Sequence, residues 1–324
     1  MRITTPVMIA ALLAALSTLP LYAPNDYYIH MAIVISIYAI SASALNIMMG
    51  YLGLLPLCVA AFMGVGAYTS ANLTMRFGFP FPLALLASAL MAGFGALLLA
   101  VPSFRTKGIY YIIVTIGFQI IITEVYQNLT DITGGSIGIR NIPKPSVGPF
   151  VFTSKVEVYY LYLAITLAIH AALFVLLKTH LGRSLTAIRE NEPKATVMGV
   201  NSYTHKLFAF SLSMALSAIA GSLYAHYMSH VSSDNFTLLN SIDYFLMVTI
   251  GGPGTFYGPV LGAVVWTFVM EALHAFRGLK ELIYGIILVV IMLVMPKGTV
   301  GLLSNRRLVR LFRRGRAEKA YRPA

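Results

Sequence analysis

The chain has 324 residues, of which 58% are hydrophobic and 10% are charged, and this composition excludes an ordinary soluble domain. The net charge of +12 does not indicate a nucleic-acid partner, because no basic domain with interleaved aromatic residues is present to bind one. The single cysteine, Cys58, excludes an internal disulfide and a thiolate metal site.

Apolar segments long enough to cross a bilayer recur along the chain, and lipid requires their backbone to be helical. They predict an all-α polytopic membrane protein with about ten transmembrane helices, organised as one domain over residues 1–324. The eighth segment is too short to cross alone, so we expect some helices to be broken. The predicted spans are residues 7–23, 29–49, 54–73, 82–103, 109–128, 157–178, 207–229, 240–251, 258–275 and 281–296.

The distribution of Lys and Arg predicts the orientation of these spans. With Arg2 on the inner side, seventeen of the 23 basic residues fall inside and six outside, which is the positive-inside bias. Both termini are therefore expected to be cytoplasmic. The basic tail, residues 297–324, contains RRLVRLFRRGR and is expected to lie against anionic membrane lipid.

Glycine-rich breaks interrupt the apolar pattern in both halves, at residues 50–53 and 251–254. A turn-rich outer segment, residues 129–156, separates five predicted spans from the other five. The breaks favour a translocation pathway formed by broken helices of two related halves, although glycine also serves close helix packing. The candidate pathway residues are Gly50, Gly53, Gly64, Gly66, Gly251, Gly252 and Gly254.

Residues 181–206 form a charged stretch between two apolar spans, called here the polar segment. Ser184 is expected to cap a first helix, and Asn191 or Glu192 a second short helix from residue 193 to 198. Pro193 suits a first helical turn, and Gly199 suits a left-handed helix end. A helix of about six residues is unstable alone in water, so it must dock on its own domain or on a partner.

Sequence motifs for chemistry are missing, so no catalytic residue, cofactor or metal site is predicted. The chain lacks a G-x-x-x-x-G-K-[ST] loop, a G-x-S-x-G motif and an H-E-x-x-H motif. His226 and His230 share a helical face, but without a nearby third ligand they are expected to form hydrogen bonds.

Ionisable residues avoid the centres of the predicted spans, and this weakens the case for a proton-coupled carrier. Glu124, Asp243 and Glu271 fall toward the outer ends of spans. Two interpretations stay open for them: an outer vestibule, or helix-end carboxylates at the level of the lipid headgroups.

Five blocks of sequence, taken together, resemble the branched-chain amino-acid ABC transporter permeases of the LivM type. The blocks are LNIMMGYLGLLPLCVAAFMGVGAYTSANL (45–73), RTKGIYYIIVTIGF (105–118), TGGSIGIRNIP (133–143), the stretch from GRSLTAIRENEPKATVMGVNSYTHK onward (182–227) and GGPGTFYGPVLGA (251–263). Pro56, Cys58 and Pro253 depart from the family pattern, and these departures leave the substrate open.

The resemblance implies the ABC-importer permease fold and a transport subunit in the bacterial inner membrane, without an ATPase site of its own. Such a subunit moves branched-chain or related amino acids together with a second permease subunit, two ATPase subunits and a periplasmic substrate-binding protein. The polar segment would be the part that couples to the ATPase, although only Ala195 and Gly199 keep the spacing of the E-A-A-x-x-x-G motif. The implied coupling residues are Arg189, Glu190, Asn191, Glu192, Ala195 and Gly199.

Three alternatives to this importer remain at the level of sequence. They are an ion-coupled secondary carrier, an ABC permease for urea or short-chain amides, and a membrane scaffold without transport.

Overall fold

The computed structural model describes residues 20, 25–106, 108–148, 150–274, 283–286 and 289. Helices dominate these ranges. The principal α-helices are α1 (Asp26–Asn46), α2 (Val59–Phe77), α3 (Phe81–Ser103), α4 (Ile109–Asn128), α5 (Thr130–Thr133), α6 (Lys155–Lys178), α7 (His180–Val197), α8 (Ser202–Met228), α9 (Leu238–Gly251) and α10 (Gly258–His274). A π-helix (Ile47–Leu52) continues α1, and a 3-10 helix (Ser233–Phe236) precedes α9.

The second to ninth predicted spans each coincide with a helix, whereas nearly all of the first and most of the tenth lie outside the described residues. Five described helical segments are long and apolar enough to cross a membrane, namely Asp26–Leu52, Phe81–Ser103, Ile109–Asn128, Lys155–Lys178 and Ser202–Met228. The chain is thus a multi-pass helical membrane protein. The number of ten spans stays a prediction, and so does the placement of the basic tail, residues 297–324, which also lies outside the described ranges.

The turn-rich outer segment contains short strands that the all-α prediction did not include. Strand β1 (Ile139–Arg140) pairs with β4 (His230–Val231), and β2 (Ser146–Val147) pairs with β3 (Phe150–Val151), both antiparallel. Each strand has two residues, which is too short to leave a period-two pattern in the sequence. The β1–β4 pair joins the outer segment to the end of α8.

Helix α8 occupies the centre of the fold and packs mainly against α2 and α3. Small residues bring the backbones close together: a Cβ on Gly66 would overlap the backbone of Ala218, and a Cβ on Gly221 would overlap the carbonyl of Met63. Such contacts drive helix association in membranes, where hydrophobic burial offers little gain. They fix α2 beside α8.

A buried glutamine fixes the start of α2 and the start of α9. The Gln119 Oε1 accepts hydrogen bonds from the Ala61 N–H (2.8 Å) and the Ser241 hydroxyl (3.0 Å), and its Nε2 donates to the Phe236 carbonyl (2.8 Å). Gln119 is fully buried, and these bonds satisfy its amide inside the helix bundle.

Candidate functional site

The polar segment is one helix, α7, with a break at Asn191, followed by a turn into α8. Asn191 has extended backbone angles (φ −160°, ψ 98°), and its Oδ1 accepts a hydrogen bond from the Lys194 N–H at 3.0 Å. Asn191 is therefore the N-cap of the second helical piece, and Pro193 lies in that piece's first turn, as predicted. The prediction for Ser184 is wrong, because α7 already begins at His180 and Ser184 lies inside it.

The second helical piece ends at a left-handed glycine, as the sequence predicted. Gly199 has φ +87°, its N–H donates to the Thr196 carbonyl, and the Val200 N–H donates to the Ala195 carbonyl, both at 3.0 Å. This pair of bonds is a Schellman cap, which satisfies the last carbonyls of the helix. An ion pair between Glu192 and Lys206 ties the same piece to the first turn of α8.

Helix α7 packs one face on the membrane domain and leaves the other exposed. Leu185, Ile188 and Ala195 are at most 5% exposed, and burial of side chains like Leu185 stabilises such contacts by about 1.5–3 kcal/mol each. At the tip, Val197 and Met198 are 88% and 83% exposed. The docking that a six-residue helix requires is thus supplied partly by its own domain, and no described residue covers its apolar tip.

The first glycine-rich break begins as a π-helix. Residues Ile47–Leu52 widen the end of α1, and Gly53 stops the helix with φ +80°. The Leu54 N–H then donates to the Met48 carbonyl at 3.0 Å, and α2 starts at Val59, beyond Pro56. A π-helical stretch in a membrane span is often found at functional sites.

The second break separates α9 from α10. Gly251 ends α9, and a Cβ there would overlap the Gly258 carbonyl at the start of α10. Gly252 has φ +111°, and its carbonyl accepts the Thr255 hydroxyl at 2.7 Å. Glycine is required at both positions, because one has no room for a side chain and the other has a positive φ.

The two breaks and the polar segment meet at one point, called here the junction: Asn46, Gly50, Arg189, Gly254 and Thr255. The Asn46 amide donates to the Thr255 carbonyl and accepts from the Gly254 N–H, both at 2.9 Å. The Arg189 guanidinium donates to the Gly50 carbonyl. A charged side chain of the polar segment is thus bonded to the broken helix of the first half, which is bonded to the break of the second half.

Close approach explains why glycines are needed at the junction. A Cβ on Gly50 would overlap Asn46 Oδ1 and Gly254 N, and one on Gly254 would lie 2.8 Å from Arg189 Nη1. A Cβ on Gly53 would lie 2.9 Å from the Arg189 Cγ. Three predicted pathway glycines therefore contact the one predicted coupling arginine.

The other candidates occupy different places. Gly251 and Gly252 shape the second break, whereas Gly64 and Gly66 lie in α2, where a Cβ would overlap Tyr126 or the Ala218 backbone. Those two glycines serve helix packing away from the junction. Among the predicted coupling residues, Glu190, Asn191 and Gly199 are exposed, Glu192 is half-buried and Ala195 is buried.

Asn46 is the junction residue that the sequence prediction missed. It is 3% exposed in an apolar helix and lies one turn before Gly50. An amide inside a membrane span must find partners, and glycine four residues later leaves space on the same helical face. The four-residue spacing of Asn46 and Gly50 could therefore have indicated this site from the sequence.

The two spaced histidines form hydrogen bonds, as predicted, but they do not share a helical face, because α8 ends at Met228 and His230 lies in β4. The His226 ring contacts the Ser70 hydroxyl at 2.9 Å and the Pro143 carbonyl at 2.7 Å, and the His230 ring contacts the Ile139 carbonyl at 3.2 Å. Across the described part of the chain, no three His, Cys, Asp or Glu side chains are grouped as metal ligands would be.

The fold and the junction define a class: a polytopic helical membrane transport subunit with broken helices and a polar segment bonded to them. Residues 27–295 match the family described as branched-chain amino acid transport system, permease component, and the chain belongs to this family.

Several curated proteins are similar to this chain. It is 33% identical over 293 residues to the high-affinity branched-chain amino acid transport system permease protein LivM of Escherichia coli strain K12, and 32% identical to LivM of Salmonella typhimurium; each match covers 83% of this chain and 69% of the relative. It is also 24% identical over 295 residues to the LivH permease protein of Salmonella typhimurium. That match covers 82% of this chain and 92% of the relative. No solved structure gave a match.

Proposed function

We propose that this chain is the permease subunit of an ATP-driven importer that moves branched-chain amino acids across a bacterial inner membrane. Its partners in this proposal are a second permease subunit, two ATPase subunits and a periplasmic substrate-binding protein. The names of the LivM and LivH relatives support the substrate class and the pairing of two permeases. Both termini are cytoplasmic, with the tail against anionic lipid, as the distribution of basic residues favours.

The observation that carries the coupling mechanism is the bond between Arg189 and Gly50. In the proposal, the exposed tip of the polar segment, Val197 and Met198, docks on an ATPase subunit together with the charged residues beside it. Movement of the ATPase displaces α7, and Arg189 transmits that displacement to the junction. The broken helices on both sides of the junction then change between outward and inward access.

Reconstitution tests the proposal. We expect the chain, assembled in proteoliposomes with the second permease and the ATPase subunits, to take up L-leucine only when ATP and the binding protein are both supplied. Uptake by the chain alone, driven by an ion gradient, would establish the secondary carrier instead. Uptake of urea or acetamide without leucine uptake would show that the protein is a permease for urea or short-chain amides.

The helix end at Gly199 offers a test of the coupling role. Valine at position 199 must adopt a left-handed backbone that costs about 1–2 kcal/mol, although a Cβ there meets nothing within 4 Å. We expect Gly199→Val to reach the membrane in normal amount and to lose most leucine uptake, because the docking tip changes shape. Uptake and membrane content are measured in the same cells.

Gly78→Val is the matched control. Gly78 also ends a helix, has φ +65° and has nothing within 4 Å of its Cβ position, so the local strain is similar. We expect this variant to keep nearly normal uptake, because Gly78 lies at the end of α2 that is far from the polar segment. Equal losses in the two variants would reduce the Gly199 effect to general destabilisation.

A further inference from the structure

A cavity of about 210 Å³ lies between α1, α9 and α10, away from the junction. Helix α1 connects the two sites. His30 of α1 lines the cavity, and Asn46 at the end of α1 belongs to the junction, so these two residues are about 24 Å apart along the helix axis. Three helices supply most of its wall. They contribute His30 and Tyr38 (α1), Asp243 and Met247 (α9), and Trp266 and Glu271 (α10).

The wall combines two carboxylates with an unsatisfied donor. Asp243 and Glu271 line the cavity, which favours an outer vestibule over carboxylates at the level of the lipid headgroups for these two residues. Trp266 is 1% exposed, and its indole N–H has no hydrogen-bond partner in the described part of the chain. A buried N–H without an acceptor is costly.

These groups complement a zwitterion with an apolar side chain. The carboxylates suit an ammonium group, and an amide nitrogen suits a carboxylate oxygen. Asn240 adds an amide nitrogen to the wall, since its oxygen already accepts from the Thr237 N–H and hydroxyl. Methionines at positions 31, 247 and 270 supply apolar surface for an aliphatic side chain.

The volume matches a small aliphatic amino acid. A protein cavity of about 150 Å³ holds benzene, which has six heavy atoms. By proportion, the cavity of about 210 Å³ has room for about eight or nine heavy atoms. Valine, leucine and isoleucine have that size. Larger amino acids such as tryptophan would not fit without movement of the helices.

The three helices that form the cavity wall also end at the two breaks. Helix α1 leads to Asn46 and Gly50, α9 leads to Gly251, and α10 begins at Gly258 beyond the second break. A ligand between the cavity ends of these helices would therefore act on α1, whose other end is bonded to Arg189 through Gly50 and to the second break through Asn46. Two sites that bias the same elements are thermodynamically coupled.

We propose that this cavity is a transient binding site for the transported amino acid within the permease, coupled through α1, α9 and α10 to the junction. The proposal rests on the proposed function and adds to it the place where the amino acid is held in the membrane domain.

Trp266 supplies a direct probe, because it is the single tryptophan of the chain. The purified full-length chain in lipid nanodiscs is titrated with L-leucine, and its tryptophan fluorescence is recorded. We expect a saturable change, with half-saturation raised about tenfold by Asp243→Asn or by Glu271→Gln, since each removes a charge-assisted bond. Asp234→Asn, which alters an exposed carboxylate in the 3-10 helix outside the cavity, should leave the titration unchanged.

Three outcomes would overturn the proposal: no fluorescence change with leucine, no effect of either carboxylate variant, or an equal response to 3-methylbutylamine, which lacks the carboxylate. The last result would define a simple cation site.

Uptake by the complete importer separates this inference from the proposed function. If the wild-type importer transports leucine and Trp266→Phe and Asp243→Asn transport it with unchanged half-saturation, the cavity proposal fails and the proposed function stands. If the wild-type importer transports no amino acid, the proposed function fails first.

Discussion

Replacement of Arg189 by glutamine is expected to reduce ATP-driven leucine uptake by about tenfold or more. Glutamine can reach toward the Gly50 carbonyl but lacks the charge and the length of the guanidinium that donates to it. Hydrogen bonds of charged groups contribute about 1.5–3 kcal/mol, and about 1.4 kcal/mol changes an equilibrium tenfold. Uptake and ATP hydrolysis by the reconstituted importer are measured together, and hydrolysis should persist while uptake falls.

Arg183→Gln is the matched control for this variant. Arg183 lies in the same helix, six positions before Arg189, and is exposed like it, but it is not part of the junction. We expect its uptake to stay within a factor of about two of wild type, as surface charges usually contribute little. If Arg189→Gln transports as well as Arg183→Gln, the junction does not transmit movement from the polar segment.

Alanine at position 50 is expected to destabilise the protein and to abolish most uptake. Its Cβ would overlap Asn46 Oδ1 and the backbone nitrogen of Gly254. The Asn46 side chain could rotate away, but it would then leave its two bonds to the second break, and the backbone nitrogen has no such freedom. Overpacking of this kind costs about 1–3 kcal/mol, so the melting temperature in detergent should fall by several degrees.

Gly117→Ala gives the opposite expectation. Gly117 lies in the middle of α4 with nothing within 4 Å of its Cβ position, and alanine favours a helix by up to about 1 kcal/mol over glycine. Its melting temperature should stay equal or rise slightly. An unchanged melting temperature for Gly50→Ala would mean that the two breaks are not packed as tightly as the junction requires.

Local sequence patterns predicted the helices and their interruptions well, since both arise from short-range physics. Runs of apolar residues and glycine clusters are readable within a window of about 20 residues, and so is the left-handed helix end at Gly199. For the same reason Pro193 limited the predicted cap to Asn191 or Glu192, and the structure shows that it is Asn191. The Ser184 prediction failed because α7 begins four residues earlier, at His180, and Thr179 occupies its N-cap position.

The junction could not be predicted from sequence, because its partners are far apart along the chain. Arg189 and Gly50 are separated by 139 positions, and Asn46 and Thr255 by 209. Coupling and pathway therefore looked like two separate groups of residues. The fold unites them, since α7 packs directly against the π-helix of the first break and Arg189 bonds to it there.

The sequence indicated only some of the cavity residues, again because the others come together only in the fold. Asp243 and Glu271 were conspicuous as carboxylates near span ends, but Trp266 gave no signal in an apolar helix. Its significance depends on burial, on an unpaired N–H and on the facing walls of α1 and α9, which only the three-dimensional arrangement supplies.

The central claim is that the polar segment faces the cytoplasm and docks there on an ATPase subunit. Met198→Cys tests it, because Met198 is 83% exposed and the native Cys58 is fully buried. We predict that a membrane-impermeant maleimide labels residue 198 in inside-out vesicles but not in intact spheroplasts, and that the assembled ATPase protects it. Labelling of that cysteine from the periplasmic face of spheroplasts would contradict the account.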